Sequence, residues 1–360
     1  MNTRVRILKA AGKVLLVLAL LLITALLAVF IRHRAVYRRN MDFLTENGYY
    51  SPVSAGNCTL NLLKTGNENG RHRIVFLSGI GSCSSISAKD FADRLRDREQ
   101  VIFLSRAGYD AGSYDKKDMT AERVVEDYRK ALENAGVQKP YMLMAHSLGG
   151  VFATYWVSRY PDEIEALVII DGTCVCPISD VSVNVHRKLS YYLANMGILD
   201  FTFHLAELPK PYLNDDDQRA YDIMRISTLS SGVLDSERAN WGRNLNDTWN
   251  VMVPNDVPKI FISAIDGFRT EEDVEKYGDL NEKKIAELTP GFTGSDEERR
   301  KAACRAFLGK CAQSRERLIE PYAEKLGSCK LIYLAGDHFI FNQRTDECAD
   351  IIKGFIAELE

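Results

Sequence analysis

The chain is predicted to be an α/β protein: a mostly parallel sheet covered by helices on both faces, with a helical cap inserted and one N-terminal membrane helix. Three observations lead there. From residue 73 onward, short apolar, β-branched runs alternate with amphipathic stretches, the rhythm of parallel strands buried on both faces. That rhythm breaks twice, for about 85 residues after Gly172 and about 60 after Gly267, lengths that a compact domain rarely leaves without secondary structure. The third is VLLVLALLLITALLAVFI (14–31), an uncharged run interrupted only by Thr24.

As a helix, 14–31 would be roughly 27 Å long, close to the ~30 Å hydrocarbon core of a bilayer. Lys9 and Lys13 precede it, and Arg32 and Arg34 follow, placed to snorkel to either interface. A cleaved signal peptide is the competing reading, but its apolar region is usually about 7–15 residues and leads to a small-x-small site, whereas this run leads into FIRHRAVYRR. Residues 1–39 are therefore expected to form an uncleaved anchor with basic flanks. Four Lys and Arg lie on each side of the run, so the positive-inside rule has nothing to act on. A single N-terminal anchor ahead of a long domain most often leaves its N-terminus inside, which makes the domain extracytoplasmic.

Those eight residues leave 38 of the chain's 46 Lys and Arg for the remainder, against all 49 Asp and Glu, a net charge of −11. No basic stripe interleaves with aromatics, which excludes nucleic acid as the expected partner. The eight cysteines show no CxxC pair and no Cys/His spacing of a metal site. Their even number allows disulfides in an exported domain, and small buried apolar residues equally well.

In order, β-like runs occur at 49–53 and 58–65, followed by RIVFLSG (73–79), a helical pattern near 88–96, and VIFLS (101–105). An amphipathic segment at 121–135 stops at Gly136. YMLMAH (141–146) precedes a helix near 150–159, and ALVIID (166–171), KIFISAID (259–266) and CKLIYLAG (329–336) complete the strands before a terminal helix. The first two strands are expected to be antiparallel. The core is assigned to 40–172 and 258–360, and the cap to 173–257. The second insertion carries Ser295-Asp296-Glu297-Glu298, a capping-box helix start.

The chemistry centres on LMAHSLGGVF (143–152). Ser147 follows a predicted strand and opens a helix, the setting of a nucleophile elbow, where residues two before and two after must be small. Ala145 and Gly149 satisfy that, giving A-x-S-x-G. A free hydroxyl is almost wholly protonated at neutral pH, so Ser147 needs a base. Of the six histidines, His33 is juxtamembrane, His72 enters a strand, His146 is turned away by the elbow, and His186 and His204 fall in the cap. His338 alone follows a late strand, in the loop at its C-terminal end.

From Arg71 to the C-terminus the chain resembles the α/β-hydrolase superfamily. The resemblance is densest in ERVVEDYRKALENAGVQKPYMLMAHSLGGVFATYWVSRYPDEIEALVIIDGT (122–173), and extends to FLSRAGYDAGSY (103–114) and GDHFIFNQRTDECADII (336–352). It implies a triad in the chain order Ser, acid, His, with no metal or organic cofactor. The position it favours for the acid is Asp266, although SAIDGF lacks the usual Gly-x-x-Asp spacing. Asp171 is the main rival, and Glu271, Glu272 and Asp273 follow it. The oxyanion would be held by the backbone N–H groups of Leu148, after the nucleophile, and Ile80, in the loop Ser78-Gly79-Ile80-Gly81.

In the cap, Tyr191, Tyr192, Leu193, Met196, Ile198, Leu199, Phe201 and Phe203 could line an apolar pocket or simply pack the cap onto the core. The expected function is a serine hydrolase cleaving carboxylic esters of small-molecule or lipid-like substrates. One alternative is a membrane-anchored aminopeptidase of the proline-iminopeptidase type, whose free-amine site would draw on Glu207, Asp215, Asp216 or Asp217. The other is a hydrolase-like binding protein without turnover.

Overall fold

The computed structural model describes residues 3–179, 188–201 and 214–359, with side chains from residue 9 onward. Among the described residues, eight strands form one sheet in the order β1-β2-β4-β3-β5-β6-β7-β8. They are β1 (Pro52–Ser54), β2 (Thr59–Gly66), β3 (Arg73–Leu77), β4 (Gln100–Leu104), β5 (Tyr141–His146), β6 (Ile164–Ile170), β7 (Lys259–Ser263) and β8 (Cys329–Tyr333). β1 and β2 are antiparallel, as is the β2–β4 pair; every pairing among β3 to β8 is parallel.

The central strands read as unbroken apolar runs because both faces are covered. In β5, Tyr141, Leu143 and Ala145 join one core while Met142 and Met144 join the other. Helices α2 (Ala121–Asn134) and α3 (Gly149–Arg159) close the first face. On the second, the short helix Lys89–Asp93 and the terminal helix pack through Phe91, Ile352 and Ile356.

The first insertion contains α4 (Leu189–Asn195), α5 (Asp215–Ser231), α6 (Val233–Ala239) and α7 (Trp241–Val251). α7 belongs to the core layer, since Leu245 is buried in the first core with Trp241 and Trp249 against it. The second insertion contains α8 (Glu271–Tyr277), α9 (Glu282–Leu288), α10 (Asp296–Ser314) and α11 (Glu320–Leu326). Ser295 caps α10 with Glu298 as its reciprocal partner, as the tetrapeptide predicts. Phe268, Val274, Cys304 and Cys311 form a small core of their own beside Ala335. The terminal helix α12 spans Thr345–Ala357. All eight cysteines are free thiols.

Helix α1 (Thr3–Glu46) is longer than its apolar run. The side chains of 14–31 are largely exposed, Leu15 by 67%, as suits a span with no protein around it. The helix then continues without a break past Arg39, and its last turns enter the domain. Phe43 and Leu44 are buried with Cys83, Ile86, Ala220 and Met224.

Candidate active site

Strand β5 ends at His146 and α3 begins at Gly149, leaving two residues for the turn. Ser147 sits at φ +53°, a left-handed conformation that is penalised for any residue with a Cβ. Small neighbours make it possible. A Cβ on Gly149 would lie 2.3 Å from the Leu77 carbonyl oxygen, and one on Gly79 would lie 2.8 Å from the Ser147 Cβ. Ala145 is fully buried. The Ser147 carbonyl accepts from the Gly150 and Thr173 amides at 2.9 and 3.0 Å, which locks the turn.

His338 lies in the loop after β8, and its Nδ1 is 2.7 Å from Asp171 Oδ2. Asp171 follows β6 directly, at φ +42°. Its other carboxylate oxygen accepts from the Ala264 and Ile265 amides at 2.8 and 3.1 Å, so both oxygens are held. The expectation that Asp266 orients His338 is therefore corrected: the acid beside the imidazole is Asp171. β7 stops at Ser263, and the chain turns so that Gly267 N–H meets Ala264 O at 2.9 Å. That turn delivers the Asp266 carboxylate to Ser314 Oγ, at 2.8 Å, with burial raising its pKa. Asp273 caps the start of α8, whose first turn also holds Glu271 and Glu272.

Ser147 Oγ and His338 are not hydrogen-bonded to each other among the described residues; such contacts are commonly loose before substrate closes them. His146 holds the two segments together. Its Nε2 lies 2.8 Å from the His338 carbonyl oxygen, and the two rings are 4.5 Å apart. Burial, and next the neighbouring His338, push the His146 pKa down to about 4. The neutral ring donates Nε2–H to that carbonyl.

The loop Ser78–Gly81 runs beside the elbow and is held by a residue from beyond β4. Arg106 is buried, and its guanidinium donates to the carbonyls of Ser78 at 2.7 Å and Gly79 at 2.9 Å. Its Nε donates to Glu237 Oε1 at 2.5 Å. Glu237 comes from α6 and also accepts from the Tyr109 hydroxyl, while the Gly81 amide donates to that same hydroxyl at 2.9 Å. Desolvation opposes the charge on Arg106, but the Glu237 carboxylate outweighs it and holds the pKa well up. The amides of Ile80 and Leu148 donate to no acceptor among the described residues. A trans peptide points its C=O and N–H in opposite directions, so aiming the Gly79 carbonyl at Arg106 leaves Ile80 N–H on the other face.

Residues 72–194 match the family defined by the alpha/beta hydrolase fold. The chain is 24% identical over 294 residues to the uncharacterized protein YbdG of Bacillus subtilis (strain 168), covering 78% of this chain and 86% of that protein. Among solved structures, it superposes on a membrane phospholipase A described as a bacterial virulence factor with a TM-score of 0.51 and 17% identity, covering 98% of both chains. A structure from work on the carboxylesterases of Nitrososphaera gargenis gives 0.51 at 15% identity, over 86% of this chain and 98% of the other. The chain has the α/β-hydrolase fold.

Within this fold, the residues that the motifs do not announce are Arg106 and Glu237. They are 131 positions apart, and only Arg106 lies in a segment that carried the resemblance. The cap residues separate into two sets. Leu199 is buried and Tyr191, Leu193 and Ile198 are half-buried, whereas Tyr192, Met196 and Phe201 face outward and so do not pack the cap onto the core. Phe203, Glu207, His186 and His204 lie outside the described residues.

The depressed pKa of His146 makes the stability of the fold depend on pH. The unfolded chain binds a proton at this ring near pH 6.5, and the folded chain only near 4, so its contribution is complete above pH 6.5 and fades as pH falls toward 4. At pH 5 the loss is about 2 kcal/mol relative to neutral pH. His146→Asn keeps a donor for the His338 carbonyl and removes the titration. Its unfolding free energy in detergent should fall less between pH 7.5 and 5 than that of the wild type, by about that amount.

Proposed function

We propose that the chain is a membrane-anchored serine hydrolase that cleaves carboxylic esters through an acyl-enzyme, with Ser147, His338 and Asp171 as its triad. The observation that carries this reading is the pairing of His338 Nδ1 with Asp171 at 2.7 Å beside a serine held at φ +53°. Asp171 accepts a hydrogen bond from Nδ1–H, which fixes the tautomer that leaves the Nε2 lone pair free to act as base. Ser147 Oγ attacks the acyl carbonyl as His338 Nε2 takes its proton. The alkoxide oxygen of the tetrahedral intermediate is held by Ile80 N–H and Leu148 N–H. Its collapse breaks the ester bond, and the leaving alcohol receives the proton from His338. Water then attacks the acyl-enzyme with His338 again as base, releasing the carboxylic acid and restoring Ser147.

Proteins of similar structure, a phospholipase and carboxylesterases among them, support an ester bond. The exposed apolar length of α1 supports an anchor. Of the four acids the aminopeptidase alternative could draw on, Asp217 is buried and already bonded by Lys89 Nζ at 2.9 Å and by the Tyr49 hydroxyl at 2.8 Å. Glu237 is likewise neutralised by Arg106.

Labelling with a fluorophosphonate probe on intact and then lysed cells tests the nucleophile and the sidedness together. A Ser147-dependent signal on intact cells is expected. Signal only after lysis would move the domain to the inner side, and none in either would remove the hydrolase reading.

The clamp on the oxyanion loop makes a separate prediction. Glu237→Leu strands a buried guanidinium and should destabilise the fold by about 3–5 kcal/mol. Arg106→Met combined with Glu237→Leu removes both charges and should recover much of that loss. Turnover of a short ester should nonetheless stay down by about 10²-fold, because nothing then aims the Gly79 peptide. A double variant that regains the rate along with the melting temperature would assign the loop's orientation to other contacts.

A further inference from the structure

The apolar run of α1 ends at Ile31, and the next two residues already touch the cap. His33 Nδ1 is 2.8 Å from Asp200 Oδ2, and the Arg32 guanidinium lies 4.2 Å over the Phe201 ring and 4.0 Å from Asp200. Gly197 lies against the same histidine. Gly197, at φ +74°, packs so closely that a Cβ there would lie 2.4 Å from the Cβ of His33. From Ile31 to His33 a helix rises only ~3 Å, less than the thickness of a headgroup layer, which is about 5–8 Å per leaflet. Wherever α1 leaves the hydrocarbon, the turn 196–201 therefore stands at headgroup depth.

The outward chemistry of that part of the cap suits such a place. Leu189, Tyr192 and Met196 follow the i, i+3, i+7 spacing of one helical stripe and are exposed by 70, 50 and 37%. Phe201 is exposed by 52%. The one acid of 196–201, Asp200, has its carboxylate covered, with 4% of the side chain accessible beside His33. The exposed apolar surface continues onto α1 through Phe30 and Ile31. Large apolar side chains clustered facing water mark an interaction surface, and their continuity with the apolar run of α1 identifies the occupant as lipid.

We infer that the outer face of α4 and the turn 196–201 are the seat of the domain on the bilayer, with Leu189, Tyr192, Met196 and Phe201 at the boundary between headgroups and acyl chains. This rests on the reading of α1 as a retained span. The same cap reaches the reaction centre from its other side, since Glu237 of α6 binds Arg106 and a Cβ on Gly81 would lie 2.8 Å from Arg225 Nη1 of α5. The ester substrate is accordingly a membrane-resident amphiphile carrying an acyl chain, taken from the leaflet on which the cap rests.

The test uses the full chain in vesicles of phosphatidylcholine and phosphatidylglycerol, with bromines placed either high or deep on the phosphatidylcholine acyl chains. Leu20→Trp reports the span and Phe201→Trp the seat, each as emission added to that of Trp156, Trp241 and Trp249. Deep bromines should quench Leu20→Trp more strongly, and shallow bromines Phe201→Trp. An unquenched Phe201→Trp with a quenched Leu20→Trp overturns the seat and leaves the anchor standing. Failure of both signals overturns the anchor reading and the seat with it. In the same vesicles, Leu189→Glu/Phe201→Glu should lower turnover of a long-chain ester in the bilayer by at least about tenfold and leave p-nitrophenyl acetate hydrolysis unchanged. Equal losses on both substrates, or none on the long-chain ester, would overturn the leaflet as the source of substrate.

Discussion

Ser147→Ala is expected to reduce turnover of a p-nitrophenyl ester by about 10⁴-fold or more, because nucleophile, base and acid act as one unit. The residual rate would come from the oxyanion loop and from binding alone. Alanine keeps the Cβ and therefore keeps the strain of φ +53°, so the melting temperature should change little. Ser147→Gly makes a useful companion. It is equally inactive, yet relief of the left-handed penalty, about 1–2 kcal/mol, offsets the backbone entropy that glycine adds. Its stability should be no lower than that of Ser147→Ala. Retention of more than a tenth of the wild-type rate by either variant would remove Ser147 from the nucleophile's place.

Asp171→Asn is expected to cost about 10⁴ in rate by analogy with other triads. An amide at this position can present its NH₂ to His338 Nδ1, which favours the tautomer with its proton on Nε2 and leaves Ser147 without a base. The Ala264 and Ile265 amides can still bond the asparagine oxygen where they now bond Oδ1, so the fold should persist. Asp266→Asn should run near the wild-type rate, since its carboxylate faces Ser314 and not the imidazole. Circular dichroism on both variants separates chemistry from unfolding. A near-normal rate for Asp171→Asn would mean that the 2.7 Å contact orients nothing in the reaction.

The strands were readable because each is an apolar run with few competing interpretations, and YMLMAH matches β5 residue for residue. The elbow was readable for a local reason: smallness on both sides of one serine is a condition a pentapeptide can display. The acid was not. Both Asp171 and Asp266 stand near a strand's end, and choosing between them depends on where β7 stops. Its apolar run continues to Ile265 in sequence, but the strand ends at Ser263, and the amides beyond it turn onto Asp171. An aspartate directly behind an apolar run and directly before glycine describes both Asp171-Gly172 and Asp266-Gly267, so no local sign separates them. The Arg106–Glu237 pair left no local sign either, since a buried ion pair between distant segments is a property of tertiary packing alone.

That pair connects two events that are usually counted separately. Glu237 meets Arg106 only while the cap helix α6 is docked, and Arg106 aims the peptide that presents Ile80 N–H. If Ile80 N–H holds the oxyanion as proposed, cap docking and affinity for the oxyanion are linked quantities, and linkage between binding equilibria is reciprocal. Whatever factor docking adds to the grip on a tetrahedral, oxyanion-bearing ligand, that ligand returns to the docked state of the cap. A tetrahedral phosphonate bound in this site would act as an allosteric effector of its own lid, tightening a helix more than a hundred residues away in sequence through a single guanidinium.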